Sequence, residues 1–353
     1  MKGHIFIGTW AASGGEGILA ADWNETTGSL SRLRLAAAAP NPTFLAAHPS
    51  KPVLYAVNET ADFQGMPGGG LTTFSVGDEG SLQPLSAVPA GGRSPTHLEV
   101  SSSGDLLALA IYHGPGIAVF ALDLDGLPET RLCVHEHAGS SIHPTRQTSP
   151  HPHAAHFHPS GRALLAPDLG TDRIAIYEIP PAAAGAPIPA GHWPSQPGSG
   201  PRHLAFHPHL NLLYAVNELD STIDVLGWNP IMLTLQTGQR ISLLPAGFEG
   251  VSTAAEVAVH PSGKFLYASN RGADNIALFA VKPDGDLRLV DFFDTGGGIP
   301  RHFALSPSGK WLVVANQGGN SLVIFEIHPQ TGALTRRGQH AVAAPSCVLF
   351  FLQ

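Results

Sequence analysis

The chain is poor in cysteine and methionine. It contains 2 cysteines and 3 methionines in 353 residues. So few cysteines cannot supply a disulfide framework, and low cysteine usage is typical of proteins from a reducing compartment. Cys133 and Cys347 fall in unrelated parts of the repeat described below, so we expect neither a disulfide between them nor a catalytic thiol.

The chain also has little charge and no long hydrophobic run. Charged residues make up 13% of it, and the formal net charge is -8. An acidic chain is a poor partner for nucleic acid or an anionic membrane, so we expect neither. No apolar run approaches the roughly 20 residues of a membrane helix, and MKGHIFIGTW leads into a strand without a secretory leader. We therefore expect a cytoplasmic protein.

Glycine and proline, in contrast, are abundant. The chain has 40 glycines and 31 prolines, while 43% of its residues are hydrophobic. The hydrophobic fraction is too high for a disordered chain, and glycine and proline are the residues that turns require. This composition predicts an all-β fold with many short strands.

One phrase recurs six times and predicts the fold. Its clearest copies are PTFLAAHPSKPVLYAVNE, PHAAHFHPSGRALLAPDL, PRHLAFHPHLNLLYAVNE and PRHFALSPSGKWLVVANQ. The copies begin at Pro42, Pro95, Pro152, Pro201, Ala254 and Pro300. Their spacing of about 46 to 57 residues is that of propeller blades with four strands each.

A half-copy, PSCVLFF, begins at Pro345, and IFIGTW near the N-terminus supplies its missing second strand. The sequence therefore predicts one domain over residues 1–353, an all-β, seven-bladed β-propeller whose last blade is closed by the N- and C-terminal strands. A closed propeller leaves no sheet edge open inside the ring, so we expect a monomer.

The repeat also assigns residues to the two faces of the predicted propeller. Successive strands alternate in direction, so the HPSG turns lie on one face. The residues that follow each starting residue, and those that follow the Asn ending each second strand, lie on the other face. Ionisable residues that occupy these positions in only some blades are candidates for function. The test selects His153, Arg202, Glu218 and Arg271, followed by Arg301, His302, Glu256 and Glu59.

The histidine-rich run SPHPHAAHFHPSG raises the question of a metal site. His158 occupies the turn position, like His48, His207 and His260, and we expect these histidines to hydrogen-bond the turn backbone. Five strand residues separate His158 from His153 by about 16 Å, too far for one metal ion. His151 and His153 could still ligate as a pair. No third ligand has an obvious place beside them, so we expect no metal and no cofactor.

Several arginines at one site indicate an anionic ligand. Arginine binds carboxylate or phosphate with a planar fork, and a nearby His and Glu could act as general base and acid. The alternative is that each arginine pairs with an acid, for example Arg271 with Glu218 or Glu256. No glycine-rich phosphate loop, serine nucleophile elbow or Cys–His pairing is found in a convincing context.

One segment interrupts the repeat. Residues 180–201, PPAAAGAPIPAGHWPSQPGSGP, stand where the third blade should place its outermost strand. We expect an irregular edge or loop there, either a surface insertion or a lid over the substrate.

The ordered phrases SPHPHAAHFHPSGRALLAPDLGTDRI, GPRHLAFHPHLNLLYAVNEL, AAEVAVHPSGKFLYASNRGADNIALF and GGGIPRHFALSPSGKWLVVANQGGNSLVIFEI resemble the lactonase family of seven-bladed propellers. This family includes bacterial 6-phosphogluconolactonases and fungal carboxymuconate cyclases, and the resemblance covers essentially the whole chain. In the muconate branch a His, a Glu and two Arg form the site. By motif they correspond to His153 in PHPH, Arg202 in GPRH, Glu218 in VNEL and Arg271 in SNRG.

The resemblance implies a metal-independent hydrolysis of 6-phosphoglucono-1,5-lactone to 6-phosphogluconate, a step of the pentose phosphate pathway. His153 or Glu218 would activate water and Arg202 would stabilise the oxyanion. The predicted substrate-binding residues are Arg271, Arg301, His302, His151 and Glu256. The alternatives are a cycloisomerase of the carboxymuconate type, a lactonase for another sugar lactone, or a non-catalytic binding propeller.

Overall fold

The computed structural model describes residues 2–181 and 185–351. These residues form β-strands joined by turns, with no α-helix among them; two short 3-10 turns occur at Ala11–Ser13 and Asp78–Gly80. Within this part of the chain no helix is long and apolar enough to cross a membrane.

The two ends of the chain share one sheet, which we call blade 7. The C-terminal strand β31 (Pro345–Phe351) pairs antiparallel with β1 (Lys2–Thr9), with Ile7 opposite Val348. The remaining strands of this sheet are β2 (Ile18–Asn24), β3 (Ser29–Leu30) and β4 (Arg34–Ala37). Both β3 and β4 pair with β2, so this sheet has five strands. The predicted closure of the last blade by the two chain ends is confirmed.

Blades 1 to 3 are three further sheets, each of four strands in chain order. Blade 1 contains β5 (Leu45–Ala47), β6 (Val53–Asn58), β9 (Gly70–Val76) and β10 (Leu82–Pro89), with a small hairpin inserted, β7 (Asp62–Phe63) and β8 (Met66–Pro67). Blade 2 contains β11 (Arg93–Val100), β12 (Leu106–His113), β13 (Gly116–Leu122) and β14 (Pro128–Glu136). Blade 3 contains β15 (His156–Phe157), β16 (Ala163–Asp168), β17 (Arg173–Glu178) and β18 (Ile188–Pro194).

Blades 4 to 6 repeat the same order. Blade 4 contains β19 (Pro201–Phe206), β20 (Leu212–Asn217), β21 (Thr222–Asn229) and β22 (Thr234–Ser242). Blade 5 contains β23 (Thr253–Val259), β24 (Phe265–Arg271), β25 (Asn275–Val281) and β26 (Leu287–Asp294). Blade 6 contains β27 (Pro300–Leu305), β28 (Trp311–Asn316), β29 (Ser321–Ile327) and β30 (Leu334–Ala341). The predicted all-β, seven-bladed propeller of four-stranded blades is confirmed as the fold class.

Two compact units make up the chain. Unit 1 comprises Met1–Ala38, His203–Trp228 and Gln236–Gln353, and unit 2 comprises Ala39–Arg202 and Asn229–Leu235. A single domain over 1–353 stays a prediction. In unit 1 one hydrophobic cluster joins blades 4 and 5 through Tyr214, Val216 and Leu266. In unit 2 another joins blades 1 and 2 through Tyr55 and Leu107.

In three blades the second strand is buried along its whole length. Every residue of Val53–Asn58, Ala163–Asp168 and Trp311–Asn316 is buried. A strand covered on both faces needs apolar side chains on both, so these strands read as continuous hydrophobic runs without alternation. Fourth strands are largely exposed, as the polar residues of Pro128–Glu136 indicate.

The expectation of an irregular edge or loop over residues 180–201 was wrong for its central part. Strand β18 pairs with β17 from Ile188 opposite Glu178 to Pro194 opposite Arg173, and completes blade 3. Prolines are compatible with this strand because one edge of an outermost strand needs no ladder hydrogen bonds. The buried Trp193 anchors it. Part of the segment, 182–184, lies outside the described residues.

The turn histidines link neighbouring blades within each unit. In blade 4, His207 Nδ1 accepts the backbone N–H of His209 (3.1 Å) and of Leu210 (3.0 Å), and its Nε2–H donates to the carbonyl of Gly263 in blade 5 (3.1 Å). His48 bonds Gly104 in the same way (3.1 Å). The predicted role of these histidines in the turn backbone is confirmed. The links to the following blade were not predicted.

Second-strand tyrosines make a parallel set of links. The hydroxyl of Tyr214 donates to the carbonyl of Gly285 (2.9 Å), and that of Tyr267 to Gly332 (2.7 Å). Burial raises the pKa of both phenols, so they stay protonated and donate at all physiological pH values.

Acidification should destabilise the fold through the turn histidines. Burial lowers the pKa of His48, His158 and His207, whereas the same rings titrate near pH 6.5 in an unfolded chain. Below about pH 6.5 the unfolded chain therefore binds more protons, and the free energy of unfolding falls with pH until the folded pKa values are reached. We expect Tm by calorimetry to be lower at pH 5.5 than at pH 7.5.

The variant His207→Gln should lose about 2–4 °C in Tm at pH 7.5, because the hydrogen bonds within the turn and the link to Gly263 of blade 5 disappear. Its Tm should also fall less than that of the wild type between pH 7.5 and pH 5.5. His192 is exposed, so His192→Gln serves as the control and should leave Tm unchanged. Equal Tm values for the wild type at the two pH values would contradict this account.

Candidate active site

The same backbone contact holds the chain just ahead of three first strands, β19, β27 and β31. Asp172, Asp274 and Asn320 adopt left-handed backbone angles, with φ of 51°, 50° and 48°, in the hairpin between strands two and three of their blades. Asp and Asn tolerate this conformation better than other residues. Their side chains accept backbone N–H groups just ahead of the next first strand. For example, Asp274 Oδ1 accepts the N–H of Ile299 (2.8 Å) and Asn320 Oδ1 accepts that of Ala344 (2.9 Å).

Asp172 makes the same kind of contact just ahead of Arg202. Asp172 Oδ2 accepts the N–H of Gly198 (2.6 Å), and its Oδ1 accepts the N–H of Gly200 (2.7 Å). The end of the interrupting segment is thereby held in place two residues before Arg202, whose residue surface is only 2% exposed. A buried guanidinium position set by a fixed loop is suited to a defined polar contact.

In unit 1, Glu218 and Arg271 form an ion pair. Arg271 Nη2 lies 2.9 Å from Glu218 Oε2, and the side chains are 14% and 3% exposed. Arg271 also donates to two carbonyl groups, those of Thr253 (3.3 Å) and Ala254 (3.0 Å). Of the two acids considered as partners for Arg271, the structure selects Glu218. The guanidinium therefore orients the carboxylate, and contact of either residue with substrate stays a prediction.

A second cluster in unit 1 centres on Glu256. Its carboxylate accepts from His203 Nδ1 (3.0 Å) and lies 3.5 Å from His302 Nε2. His302 Nδ1 in turn accepts the backbone N–H of Val348 (3.2 Å). The contacts thus run through the first strands of blades 4, 5, 6 and 7. Glu256 and His302 serve a structural role here, and substrate binding by them stays a prediction.

His203 was not among the sequence candidates, although a signal for it exists. It is the second residue after the starting proline of its blade, and so is His302. His97 occupies the same position in a third blade, and Glu256 occupies it in the blade between His203 and His302. An acid between two histidines indicates a hydrogen-bonded contact between neighbouring first strands.

Arg301 lies against an aromatic ring in unit 1. Its guanidinium carbon is 4.9 Å from the centre of the Trp10 ring, a cation–π arrangement. Trp10 was missed at the sequence level because it lies at the end of β1, outside the six full copies of the repeat. A role of Arg301 in substrate binding stays a prediction.

In unit 2, His151 and His153 surround Tyr112. The ring of His151 stacks on that of Tyr112 at 4.5 Å and 14°, and the ring of His153 meets it edge-on at 5.5 Å. His151 Nδ1 donates to the carbonyl of Tyr112 (2.8 Å), so the neutral ring has its lone pair on Nε2. Thr96 Oγ1 donates to the carbonyl of His153 (3.2 Å). The two histidines are 8% and 5% exposed.

A cleft of about 410 Å³ opens beside His151. Its lining consists of His113, Gly114, Pro115, Glu136, His137, Ser149, Pro150 and His151. Burial, followed by the charges of His151 and Arg93, lowers the pKa of His113, so this ring is mostly neutral at pH 7. The cleft has the size of a small-molecule site.

Asp168 holds two residues that line this cleft, His137 and His151. Fully buried, it accepts the backbone N–H of His151 (2.8 Å) at Oδ1 and a hydrogen bond from His137 Nδ1 (2.7 Å) at Oδ2. Asp168 stands where the other clear copies of the repeat have Asn. An acid can accept from both groups, whereas an amide nitrogen cannot.

One group in the described residues has the composition of a metal site. Ligand atoms of His97, Glu99 and His156 all lie within 4.8 Å of one another. His156 Nδ1 is hydrogen-bonded to Glu99 Oε2 (2.8 Å), and the N–H of Ala155 points at His97 Nδ1 (3.4 Å). A neutral His97 with Nδ1 as acceptor carries its proton on Nε2, which cannot then ligate a metal. The arrangement fits a hydrogen-bonded contact between blades 2 and 3 better than a metal centre.

The sequence of this chain matches a known protein family. The model of the family described as lactonase, 7-bladed beta-propeller matches residues 4–350. The chain belongs to this family. It is therefore a lactonase-type enzyme, as the sequence phrases predicted.

Individual relatives of this lactonase-family chain are similar over their full length. The 6-phosphogluconolactonase of Bacillus subtilis is 33% identical over 99% of this chain and 98% of its own. Among solved structures, the periplasmic gluconolactonase of Pseudomonas aeruginosa has a TM-score of 0.92 at 32% identity, covering 100% of this chain and 99% of its own. A Lactobacillus plantarum protein also has a TM-score of 0.92, at 29% identity, covering 100% of both chains.

Removal of one partner of the Glu218–Arg271 pair should lower the stability of the protein. Arg271→Gln leaves a buried carboxylate without its guanidinium, so we expect the free energy of unfolding in urea to fall by about 3–5 kcal/mol. The double variant Glu218→Gln/Arg271→Gln should recover part of this loss.

Arg337 provides the matched control. It pairs with Glu326 through side chains that are 53% and 43% exposed, and Arg337→Gln should cost less than about 1 kcal/mol. Equal losses for Arg271→Gln and Arg337→Gln would show that burial adds nothing to the Glu218–Arg271 pair.

Proposed function

We propose that this enzyme hydrolyses 6-phosphoglucono-1,5-lactone to 6-phosphogluconate. The observation that carries the proposal is the near-complete burial of Arg202 and Glu218, both 2% exposed, at positions where most blades have uncharged residues. Buried charges are costly unless they serve a defined contact, so charges restricted to particular blades favour a site over scaffold. The Bacillus subtilis relative named 6-phosphogluconolactonase supports the choice of substrate.

In the proposed mechanism His153 acts as general base. It removes a proton from a water molecule whose oxygen attacks the lactone carbonyl carbon. Arg202 stabilises the oxyanion of the tetrahedral intermediate. When the bond between the carbonyl carbon and the ring oxygen breaks, the imidazolium of His153 returns its proton to that oxygen, which becomes a hydroxyl group.

The ion pair supports His153 rather than Glu218 as the base. A carboxylate that shares its charge with a guanidinium at 2.9 Å is a weak proton acceptor. Glu218 would instead act as a hydrogen-bond acceptor, with Arg271 fixing its orientation. His151 and Arg301 stay predicted substrate-binding residues.

A lactone without phosphate is the second candidate substrate. It is favoured by the similarity to the Pseudomonas aeruginosa protein, which is named a gluconolactonase. The two substrates share the lactone carbonyl and differ at C6, so the same groups would perform the hydrolysis. With the phosphorylated substrate the reaction would belong to the pentose phosphate pathway. A cytoplasmic location and a monomeric state stay predictions.

The decisive assay is hydrolysis of freshly prepared 6-phosphogluconolactone, corrected for spontaneous opening, with and without chelator. We expect acceleration by the wild type that survives chelation, because the proposed chemistry uses protein side chains alone. His153→Ala should lower kcat by about 10²- to 10⁴-fold, the usual contribution of a general base.

His192→Ala, at an exposed position, is the control and should keep full activity. An unchanged kcat for His153→Ala would remove His153 from the mechanism. No acceleration by the wild type with either lactone would overturn the proposed function, and carboxymuconate would be the next substrate to test.

A further inference from the structure

An arginine outside the repeat lies next to the histidine cluster of unit 2. Arg146 Nη2 donates to the hydroxyl of Tyr112 (3.2 Å). Tyr112 is the residue on which His151 stacks, and its ring also meets that of His153. One tyrosine thus joins a guanidinium to the two histidines of the proposed site.

The loop that carries Arg146 is held rigidly. Gln147 is fully buried; its Oε1 accepts the N–H of His143 (2.9 Å) and its Nε2 donates to the carbonyl of Leu169 (2.9 Å). His143 Nδ1 accepts the N–H of Arg146 itself (3.2 Å). A buried amide that ties the loop to blade 3 sets the position of the arginine before any ligand arrives.

The chemistry of this position suits an anion. Arg146 is half-buried, so its side chain is both anchored and reachable from solvent. A guanidinium has five N–H donors in a planar fork that matches the oxygens of a phosphoryl group. The protein as a whole carries a formal charge of -8. Such a charge does not attract anions in general. The fixed guanidinium of Arg146 is instead a local point of attraction for one anionic group.

We propose that Arg146, positioned by Tyr112 and Gln147, binds the phosphoryl group of the substrate and gives the enzyme its preference for a phosphorylated lactone. This inference rests on the proposed function, since it places the lactone beside His153. His151, which stacks on Tyr112, also lines the cleft described above. Arg146 is then a specificity residue with no part in the hydrolysis step.

The test compares kcat/KM for 6-phosphogluconolactone with kcat/KM for glucono-1,5-lactone. Arg146→Gln should reduce the value for the phosphorylated substrate by about 10- to 100-fold, because a charge-assisted bidentate contact is lost. The kcat/KM for gluconolactone should stay within about threefold of the wild-type value. Arg146→Lys should give an intermediate kcat/KM for the phosphorylated substrate, since lysine keeps the charge but lacks the planar fork of donors.

Two variants serve as controls. Arg131 is exposed on β14, and Arg131→Gln should leave both substrates unaffected. Tyr112→Phe removes the hydroxyl that holds Arg146 but keeps the aromatic ring under His151. It should shift the preference in the same direction as Arg146→Gln, by a smaller factor.

A binding measurement tests the subsite without relying on activity. Inorganic phosphate at millimolar concentration should raise the Tm of the wild type and not that of Arg146→Gln. If the wild type hydrolyses neither lactone, the proposed function fails, and the phosphate shift still decides the subsite. The subsite proposal is overturned if phosphate protects both proteins equally, or if Arg146→Gln loses activity equally on both lactones.

Discussion

The turn histidine is the constraint on which the scaffold depends. Its ring must be neutral and must hold its proton on Nε2, because Nδ1 accepts turn N–H groups while Nε2 donates to a glycine carbonyl of the following blade, as His207 does. One side chain therefore closes a turn and joins two sheets at once. Substitution by an apolar residue would lose both contacts, which explains why the HPSG phrase recurs where hydrophobic packing alone would accept many sequences.

A second repeated contact holds the backbone in place close to the positions at which the predicted site residues stand. The left-handed Asp172, Asp274 and Asn320 hold the chain just before three of the first strands. Asp172 does so ahead of Arg202, and Asp274 ahead of Arg301. Because the backbone there is determined by neighbouring hairpins, different blades carry Thr, His or Arg at the same repeat position.

Features that follow from the repeat could be predicted from the sequence. Features that depend on the contacts of individual residues could not. Closure of blade 7 by β1 and β31 followed from the half-copy at Pro345, since an incomplete repeat needs a partner strand. Strand β18 was not recognised, because an edge strand tolerates the prolines that ordinarily signal a loop. The Tyr112–Arg146 contact could not be predicted, since Arg146 lies in a loop with no counterpart in other blades and only the tertiary structure brings the two together.

The repeat positions also separate structural histidines from candidate catalytic ones. The second residue after the starting proline is His203 or His302. Both contact Glu256 of the intervening blade, and His302 also contacts the backbone of blade 7. The residue before this histidine is Arg202 or Arg301. Adjacent strand residues point to opposite faces, so the two positions have different surroundings. The second position therefore maintains the connection between blades, and the first is the position at which the predicted site residues His153, Arg202 and Arg301 stand.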